Sequence, residues 1–498
     1  MTDPLDALRQ QAKTLQKLFQ SGDRAAIGRV NLVQPRAGTL KRADFLHVVA
    51  RENDFTNWPQ LKAAVETQGM DRAAKQQRLK IALYHGQTAV VQRLMAETPD
   101  LAKGAFGLLV ALCDLDGGTA MLSADPQIAT RKLGPRRPIL HLAFSKMLTV
   151  WPQKEADMLA IADLLLQAGA DVNDGYAQPG DAHVLSTLYG ALGHAGNMPL
   201  ARWLLGQGAN PDDGESLYHA TELDHLEGLA LLLAHGANPA GTNALLRAMD
   251  FNNLPAVQML LDAGAKPDET IPALHHAARR NASSAMIDLL LQFGADPAVS
   301  HQGASAYAVA RVYGHHALCD AIKAHGHDNQ LSQTEEILAD CVQAKTIKGR
   351  WIDPAKVPEA FTYLLHDILI LPDRIDQIKA LVAVGMPWDT PDAQGLTPVQ
   401  LAGWQGLPAM MAYFLRMGSD LSYVNGYGGT LLSTIIHGSE NCPDRSARDH
   451  IACLDLALSH GVALPRKAMK LAGNPDVATF LADWAQAHPG QVVGHAIV

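Results

Sequence analysis

The chain has 498 residues, a length that predicts two to four globular domains or one long repeat array. Hydrophobic residues make up 48% of it and charged residues 18%, a composition that excludes a disordered chain. The net charge of −9 argues against nucleic-acid or anionic-membrane binding by the whole chain, because such binders are usually basic. Residues 1–70 are an exception, with ten Lys and Arg against seven Asp and Glu.

The cysteines point to a compartment. There are five, an odd number, and no two of them form a C-x-x-C pair. This pattern supports neither a disulfide framework nor a zinc ribbon and favours a reducing compartment, so we expect a cytoplasmic protein. The sequence MTDPLDALRQQAK at the start is polar and charged, unlike a signal peptide. No apolar run reaches the ~18 residues that span a bilayer, and we expect no membrane contact.

Residues 1–70 predict a module of four helices. Apolar residues at 5, 8, 12, 15, 18 and 19 predict an amphipathic helix over 5–20. A second helix begins with Asp23 as its cap. The last two are predicted over Leu40–Glu52 and Asn57–Glu66, with Asn57 as N-cap and Gln60 completing a capping box.

The last two helices flank a tight break, a pattern that is also typical of a DNA-binding helix-turn-helix. A recognition helix over 57–66 would present Lys62, but also Glu66, so it would have no net attraction to phosphate. Trp58, Leu61 and Val65 form an apolar face that needs burial. We therefore favour a helical cap or docking module, and nucleic-acid contact remains the alternative.

One phrase recurs along the chain with a regular period. Each strong copy has a glycine two residues before its end, and successive glycines are 39, 28, 28 and 30 residues apart. The leucines predict the buried face of a helix end, and the glycine predicts a helix stop with positive φ. A shorter helix signal precedes each copy, so every unit reads helix, turn, helix, glycine stop and loop, and neighbouring units must stack. The copies are LLLQAGAD (164–171), WLLGQGAN (203–210), LLLAHGAN (231–238), MLLDAGAK (259–266) and LLLQFGAD (289–296).

This pattern resembles the ankyrin repeat, whose first helix reads T-P-L-H-x-A-A and whose second ends in L-L-x-x-G-A-D/N. The segment LTPVQLAGWQG (396–406) keeps Thr397, Pro398, Leu401 and Ala402. The His of the family motif is kept as His141 and His275 but becomes Tyr218 or Leu246 elsewhere. The resemblance implies an all-α helix-pair solenoid with degenerate and shortened repeats. Residues 43–66 also resemble a module found ahead of bacterial ankyrin repeats, with Asp54 where that module has Gly.

Composition and repeat spacing together divide the chain. We expect residues 114–138 to be a loop, either without regular structure or with a short helix, and residues 172–183 to be a second loop. A single helix over 332–346 followed by GRWIDPAKVP predicts an irregular junction between two repeat blocks. The expected domains are 1–70 (helical module), 71–328 (ankyrin-like repeats, with 71–135 degenerate), 329–357 (junction), 358–486 (second repeat block with a C-terminal cap) and 487–498 (tail).

Short repeats shape the expected binding surface. A standard unit has about 33 residues, whereas those ending at Gly236 and Gly264 have 28, so the loops NPAGTN (238–243) and KPDETIP (266–272) should be tight turns. A partner would then rest mainly on the concave face of the first helices, at the positions that the family leaves exposed before the inter-helix turn. These positions are Glu222, Leu223, Asp250, Phe251, Arg279, Arg280, Val312, Tyr313, Trp404 and Gln405.

Signals for chemistry are weak. His315 and Cys319 share a helix face, but the repeat register makes Cys319 a core residue, so we expect no metal. Cys442, His450 and Cys453 lie close in sequence, as a Cys-His nucleophile would require, but we favour a long loop that leads into an outer helix with Cys453 buried on it. Phosphate-loop, nucleophile-elbow and zincin motifs are absent from the sequence.

These observations predict a monomeric, non-enzymatic scaffold or adaptor that binds another protein without a cofactor. In the alternative interpretation, the N-terminal module contacts nucleic acid while the repeats bind a protein.

Overall fold

The computed structural model describes residues 4–33, 40, 42–177, 183–345, 347–371 and 373–494. They form two compact units, Met1–Ala265 and Lys266–Val498. Both units are built from helix pairs, and the described residues add only three two-stranded sheets. The fold is therefore the predicted all-α helix-pair solenoid. No helix among the described residues is long and apolar enough to cross a membrane.

The first unit opens with the four-helix module. Its core includes Leu15, Phe45 and Leu61, and the half-buried rings of Phe55 and Trp58 pack against it. This placement satisfies the apolar face that the sequence left without a partner. The helices are α1 (Pro4–Gln20), α2 (Arg24–Val33), α3 (Arg42–Glu52) and α4 (Trp58–Thr67); Lys41, predicted to be helical, lies outside the described residues.

The predicted caps of the module are observed with one difference. Asp23 Oδ1 accepts a hydrogen bond from the Ala26 N–H at 2.8 Å, and Asn57 Oδ1 accepts from the Gln60 N–H at 3.0 Å. The Gln60 side chain accepts from the Thr56 hydroxyl at 2.6 Å, which gives it a partner outside the predicted capping box. Asp54 has φ +65°, which explains why the resembling module carries glycine there.

Six helix pairs follow in the first unit. We call the first helix of each pair the inner helix and the second the outer helix. Each inner helix packs against the inner helix of the next pair. The helices are α5 (Arg72–His85), α6 (Thr88–Glu97), α7 (Phe106–Ala111), α8 (Leu115–Ala124), α9 (Pro138–Ala143), α10 (Met147–Val150), α11 (Glu155–Gln167), α12 (Thr187–Tyr189, extended by a π turn over Gly190–His194), α13 (Met198–Gly206), α14 (Ser216–Ala220), α15 (Glu227–Ala234), α16 (Ala244–Asp250) and α17 (Leu254–Asp262).

The module closes onto the first of these pairs. Helix α4 packs against the outer helix α6. At this contact the Arg93 guanidinium lies 5.7 Å from the ring centroid of Phe55, and Arg78 pairs with Glu66 at 3.1 Å. The module therefore shields an apolar surface of the repeats, as expected of a cap.

For residues 114–138, the alternative of a loop with a short helix is the one observed. Residues 115–124 form α8, which Asp114 caps by accepting the Gly117 N–H at 3.0 Å. Gly117 and Gly118 favoured a loop in the sequence analysis, because glycine disfavours helices in general. Here Leu109 Cδ2 lies 3.0 Å from where a Gly117 Cβ would be, so the glycine permits close packing.

The second unit contains the remaining pairs. Helix α22 packs against α20 and α24, and in the part that the structure describes (343–345 and 347–363) the connection after it is irregular and holds no outer helix. Thr346, the end of the predicted junction helix, lies outside the described residues. The helices are α18 (Ala273–Arg279), α19 (Ser284–Gln292), α20 (Ala306–Val312), α21 (His316–Ala324), α22 (Gln333–Val342), α23 (Leu364–Leu369), α24 (Ile375–Ala383), α25 (Pro398–Trp404), α26 (Pro408–Met417), α27 (Leu431–Asn441), α28 (His450–Ser459), α29 (Arg466–Leu471) and α30 (Pro475–Ala487).

The strands belong to the connections between pairs. Two short antiparallel hairpins occur where the connection is long, and the predicted tight turns at 238–243 and 266–272 contain no strand. Residues 178–182, within the predicted loop 172–183, lie outside the described residues. The strands are β1 (Gly175–Ala177) with β2 (Val184–Ser186), β3 (Ser300–His301) with β4 (Ala304–Ser305), and the parallel pair β5 (Leu464–Pro465) with β6 (Val492–Val493).

The repeated glycines end the outer helices as predicted. All five have φ between +86° and +99°, in the left-handed region that glycine adopts cheaply. In four of the five copies an Asn or Asp two residues later then caps the turn, and the copy at Gly264 has Lys266 there. Asn210 Oδ1, for example, accepts the Asp212 N–H at 3.0 Å, and Asp212 Oδ1 accepts the Asn238 N–H of the next loop at 2.7 Å. Side-chain hydrogen bonds thus link successive loops.

We expect Gly236→Val to lower the free energy of unfolding by at least about 1 kcal/mol, because a β-branched residue is strained at positive φ. No atom lies within 4 Å of where a Gly236 Cβ would be, so backbone strain alone would be measured. Urea denaturation followed by circular dichroism would test this. Gly206→Ala, at an equally open position inside α13, is the control and should not destabilise. Equal stability of Gly236→Val and wild type would contradict the expectation.

Buried histidines also stabilise the helix pairs. His275 is fully buried and its Nε2 donates to the Ala304 carbonyl at 3.1 Å. Burial lowers the pKa of His275 to about 4, an effect that this hydrogen bond offsets only in part. Burial likewise lowers the pKa of His141 and His194 to about 4. The neutral imidazole is therefore the form that the folded chain accommodates.

We expect the chain to lose stability as the pH falls from 6.5 to 4. In this pH window the histidines of the unfolded chain become protonated, whereas the buried histidines of the folded chain stay neutral. Acid therefore favours unfolding. His275 alone should account for roughly 2 kcal/mol by pH 4.5. Comparing urea midpoints at pH 7.5 and 4.5 should show a smaller acid loss in His275→Gln than in wild type. The exposed His316, changed to Gln, is the control. An unchanged acid loss in His275→Gln would refute this assignment.

Candidate functional site

Four of the predicted surface residues lie together in the first unit. Glu222 and Leu223 follow α14, and Asp250 and Phe251 end α16. One side chain that the sequence analysis did not name, Arg247, joins them. Its Nε and Nη2 donate to Glu222 Oε1 at 2.9 and 2.7 Å, and its Nη1 donates to Asp250 Oδ2 at 3.1 Å. Arg247 therefore ties two adjacent inner helices together.

Two aromatic rings flank the same guanidinium. The Arg247 carbon Cζ lies 4.7 Å from the ring centroid of Phe251 and 5.5 Å from that of Tyr218, within the range of cation–π attraction. Phe251 is nevertheless 51% exposed, so much of its ring faces solvent. A large aromatic residue held in place yet exposed is typical of a protein-binding surface.

The network continues through histidines. His219 Nδ1 lies 2.7 Å from Glu222 Oε2, and His219 Nε2 lies 2.9 Å from Glu215 Oε2. Glu215 Oε1 in turn lies 2.6 Å from Nε2 of His183. Each carboxylate thus has a basic partner, and the side chains restrain one another. We call these residues the polar ladder: His183, Glu215, His219, Glu222, Arg247 and Asp250.

The ladder members that were missed had a signal in the sequence. Residues 215, 219 and 222 are spaced by four and three, and residues 247, 250 and 251 by three and one, so each set falls on one face of a helix. The prediction considered only the last two positions before the turn. Extending each inner helix back by one turn would have found Tyr218, His219 and Arg247.

The surroundings of the ladder are strongly acidic. From Trp203 to Leu246 the sequence contains six acidic residues and no Lys or Arg. Five of the six lie in the loop before α14 or between α14 and α15, beside the ladder or within it. A partner therefore meets a negative potential here. The six are Asp212, Asp213, Glu215, Glu222, Asp224 and Glu227.

Predicted surface residues in the second unit contact their own chain. Arg279 Nη2 donates to the Ala360 carbonyl at 3.1 Å, and the Tyr313 hydroxyl donates to Asp367 Oδ2 at 2.6 Å. Burial raises the pKa of both Tyr313 and Asp367. The segment from 354 to 369 therefore lies against the inner helices here. Arg280 stays exposed, and its charge acts on Asp367.

Trp404 and Gln405 also make internal contacts. Both are half-buried. The Trp404 carbonyl accepts from His450 Nε2 at 2.9 Å, and Gln405 Oε1 accepts from the Cys442 thiol at 3.4 Å. These contacts join the pair α25–α26 to the pair α27–α28. The Trp404 carbonyl and the Gln405 side chain therefore have partners within the chain.

The cysteines and histidines considered for chemistry lie in the core. Burial raises the pKa of Cys453 to about 12 and also raises that of Cys442, whereas a nucleophilic thiol needs a lowered one. His450 Nε2 donates to the Trp404 carbonyl at 2.9 Å. His315 Nε2 donates to the Ala282 carbonyl at 2.9 Å and its Nδ1 accepts the Leu318 N–H at 3.3 Å, so both ring nitrogens are engaged. Among the described residues, no three His, Cys, Asp or Glu side chains are grouped to hold a metal ion.

Comparison with known proteins agrees with this architecture. A family model of ankyrin repeats in three copies matches residues 188–271, the region that contains the polar ladder apart from His183. No curated protein matches the chain. Two solved structures are weakly similar. The human ASB11 ankyrin repeat domain is 20% identical, with a TM-score of 0.34, over 46% of this chain and 100% of that one. The ankyrin repeat domain of Bcl-3, a member of the IkappaB family, is 22% identical, with a TM-score of 0.34, over 44% of this chain and 97% of that one.

The glycine-ended helix pairs, their stacked inner helices and the family match lead to one conclusion. This chain contains ankyrin repeats, which the family model places at residues 188–271.

Proposed function

We propose that the chain is a monomeric, non-enzymatic scaffold or adaptor that binds another protein without a cofactor, through the inner-helix surface around Arg247. Ankyrin repeats generally mediate protein–protein interaction, and matched repeats form this part of the chain. The five free cysteines are all buried, which fits a reducing environment, and we propose a cytoplasmic location.

The observation that carries the proposal is the exposed ring of Phe251 stacked on a restrained arginine. Arg247 is held by Glu222 and Asp250, so the aromatic surface is ordered before a partner arrives. Binding to an ordered surface avoids much of the entropy loss of fixing side chains. Aromatic residues and arginine also dominate the energetics of protein interfaces.

Charge indicates what the partner presents. Among the six acidic residues, Glu222 pairs with Arg247 and Glu227 with Arg202, whereas Asp212, Asp213 and Asp224 form no ion pair among the described residues. A partner surface with exposed Lys or Arg would complement this potential and associate faster at low salt. We therefore propose a basic protein surface that also offers an apolar group to Phe251.

The proposed surface is smaller than the one expected from sequence. Arg279 and Tyr313 are engaged by the chain itself, Trp404 and Gln405 make internal contacts, and Val312 is buried, so these five are left out of it. Glu222, Leu223, Asp250 and Phe251 are kept, and Arg280 stays a candidate.

Nucleic-acid contact by the N-terminal module is not favoured. Lys62 lies 3.6 Å from Glu66, and Arg29 pairs with Glu52 at 2.7 Å. These ion pairs reduce the positive charge that the module could offer to a phosphate backbone.

Quantitative affinity capture from the source cells would test the proposal. We expect the double variant Glu222→Gln, Phe251→Ser to capture at least about tenfold less partner than wild type, because it loses an interface hot spot. The control is Tyr427→Ser with Asp455→Asn, which removes one exposed aromatic and one exposed acid elsewhere. Circular dichroism should show both variants folded.

The proposal also requires that capture by wild type weakens as salt is raised from 50 to about 300 mM, because complementary charges are screened. Equal capture by wild type and the Glu222→Gln, Phe251→Ser variant would contradict binding at this surface.

A further inference from the structure

A cavity in the first unit lies apart from the polar ladder. It has a volume of about 550 Å³ and is bounded by α5, α7, α9 and the loop at 133–136. Apolar groups of Ile81, Leu108, Leu133 and Phe144 form much of its wall. Small-molecule sites typically have volumes of about 300–1,000 Å³ and mostly apolar walls with a few polar groups. The cavity meets both criteria.

The charged groups of the cavity wall have one sign. Lys80 and Arg136 line it together with His85 and His141, and no Asp or Glu is among the described lining residues. Lys80 is exposed, and no ion pair involves it in the part of the chain that the structure describes. The positive charge facing the cavity is therefore not neutralised by the described residues.

Arg136 is held in an unusual way. Its carbon Cζ lies 4.2 Å from the ring centroid of Tyr176, 4.5 Å from that of Phe144 and 4.9 Å from that of Tyr84. Its Nη2 donates to the Tyr176 hydroxyl, and its Nε is buried without a hydrogen-bond partner. Aromatic rings thus orient the guanidinium without neutralising it.

The neighbouring arginines show the contrast. Arg131 pairs with Asp125 at 2.9 Å, and Arg137 pairs with Asp174 at 2.7 Å. Arg136, from the same loop, makes no ion pair among the described residues and turns to the cavity. A half-buried cation with an unmet donor is costly unless an anion completes it.

Both cations of this wall influence a neighbouring histidine, His141. The His141 ring also lines the cavity, and its Nε2 donates to the Leu133 carbonyl at 3.1 Å. Burial lowers the pKa of His141 to about 4, and the charges of Arg136 and Lys80 both contribute to the lowering. Arg136 and Lys80 thus line the same cavity as the His141 ring.

We propose that this cavity binds a small organic anion, a carboxylate or phosphate carried on an apolar body. The anionic group lies between Arg136 and Lys80, and the apolar body packs against Ile81, Leu108 and Leu133. The planar guanidinium can donate two hydrogen bonds to either kind of anion, and Lys80 adds a point charge at the mouth. This site is separate from the proposed protein-binding surface.

Isothermal titration of the full chain with 4-phenylbutyrate and with its neutral amide would test the proposal. We expect saturable binding of the acid that is at least about tenfold tighter than that of the amide, because charge-assisted hydrogen bonds are the stronger kind. Phenyl phosphate, titrated in parallel, distinguishes the two anions: the tighter of the two acids identifies the ligand class.

Variants locate the binding. Arg136→Gln should weaken binding of the acid about tenfold. Lys80→Gln should weaken it about threefold, because exposed charges contribute less to binding. Lys17→Gln, which removes an exposed charge from α1, should change nothing. Since Arg136 contacts three rings, the exposed Lys80 provides the test if Arg136→Gln fails to fold. Absence of saturable binding by both acids, equal binding of acid and amide, or equal weakening by Lys17→Gln and Lys80→Gln would overturn the proposal.

Discussion

The fold depends on apolar faces that no single helix pair can bury. Stacking of neighbouring pairs buries them. The helices of a pair are short, and residues such as Leu246 in α16 or Leu260 in α17 are buried only because further helices lie against them. Burying such a side chain stabilises the fold by about 1.5–3 kcal/mol, so each pair depends on its neighbours. The N-terminal module follows the same rule: Trp58 and Leu61 find their partners in its core, while α4 covers α6.

Stacking under this constraint brings side chains from successive repeats into fixed relation. Glycines with positive φ end the outer helices, and the Asn or Asp beyond them bonds to the next loop, so inner helices follow one another in register. In that register Arg247 meets Glu222, 25 residues earlier in the chain. The polar ladder is thus a product of repeat geometry. The same register that orders the core orders a surface with an exposed aromatic ring.

Equivalent repeat positions have different roles in the two units. Phe251 is exposed, whereas Tyr313, at a corresponding place before its turn, donates to the buried Asp367. The difference arises because Asp367, on α23, lies against the inner helix that carries Tyr313. Charge is divided as well. In the first unit, acidic groups surround the ladder while cationic groups line the cavity at Arg136, so the two places favour ligands of opposite charge.

Local signals in the sequence determined the helix pairs, the glycine stops, the caps at Asp23 and Asn57 and the family resemblance, because each depends on a few adjacent residues. They left a short helix over 114–138 as an alternative only, because they could not show that Gly117 packs closely against Leu109. They also named Glu222, Asp250 and Phe251 but not Arg247, and they counted Tyr313 as surface. Only the tertiary structure decided those roles, because the partners of these side chains lie 25 and 54 residues away and meet through the stacking of repeats. The cavity at Arg136 is a product of tertiary structure for the same reason, since its walls come from three helices and a loop.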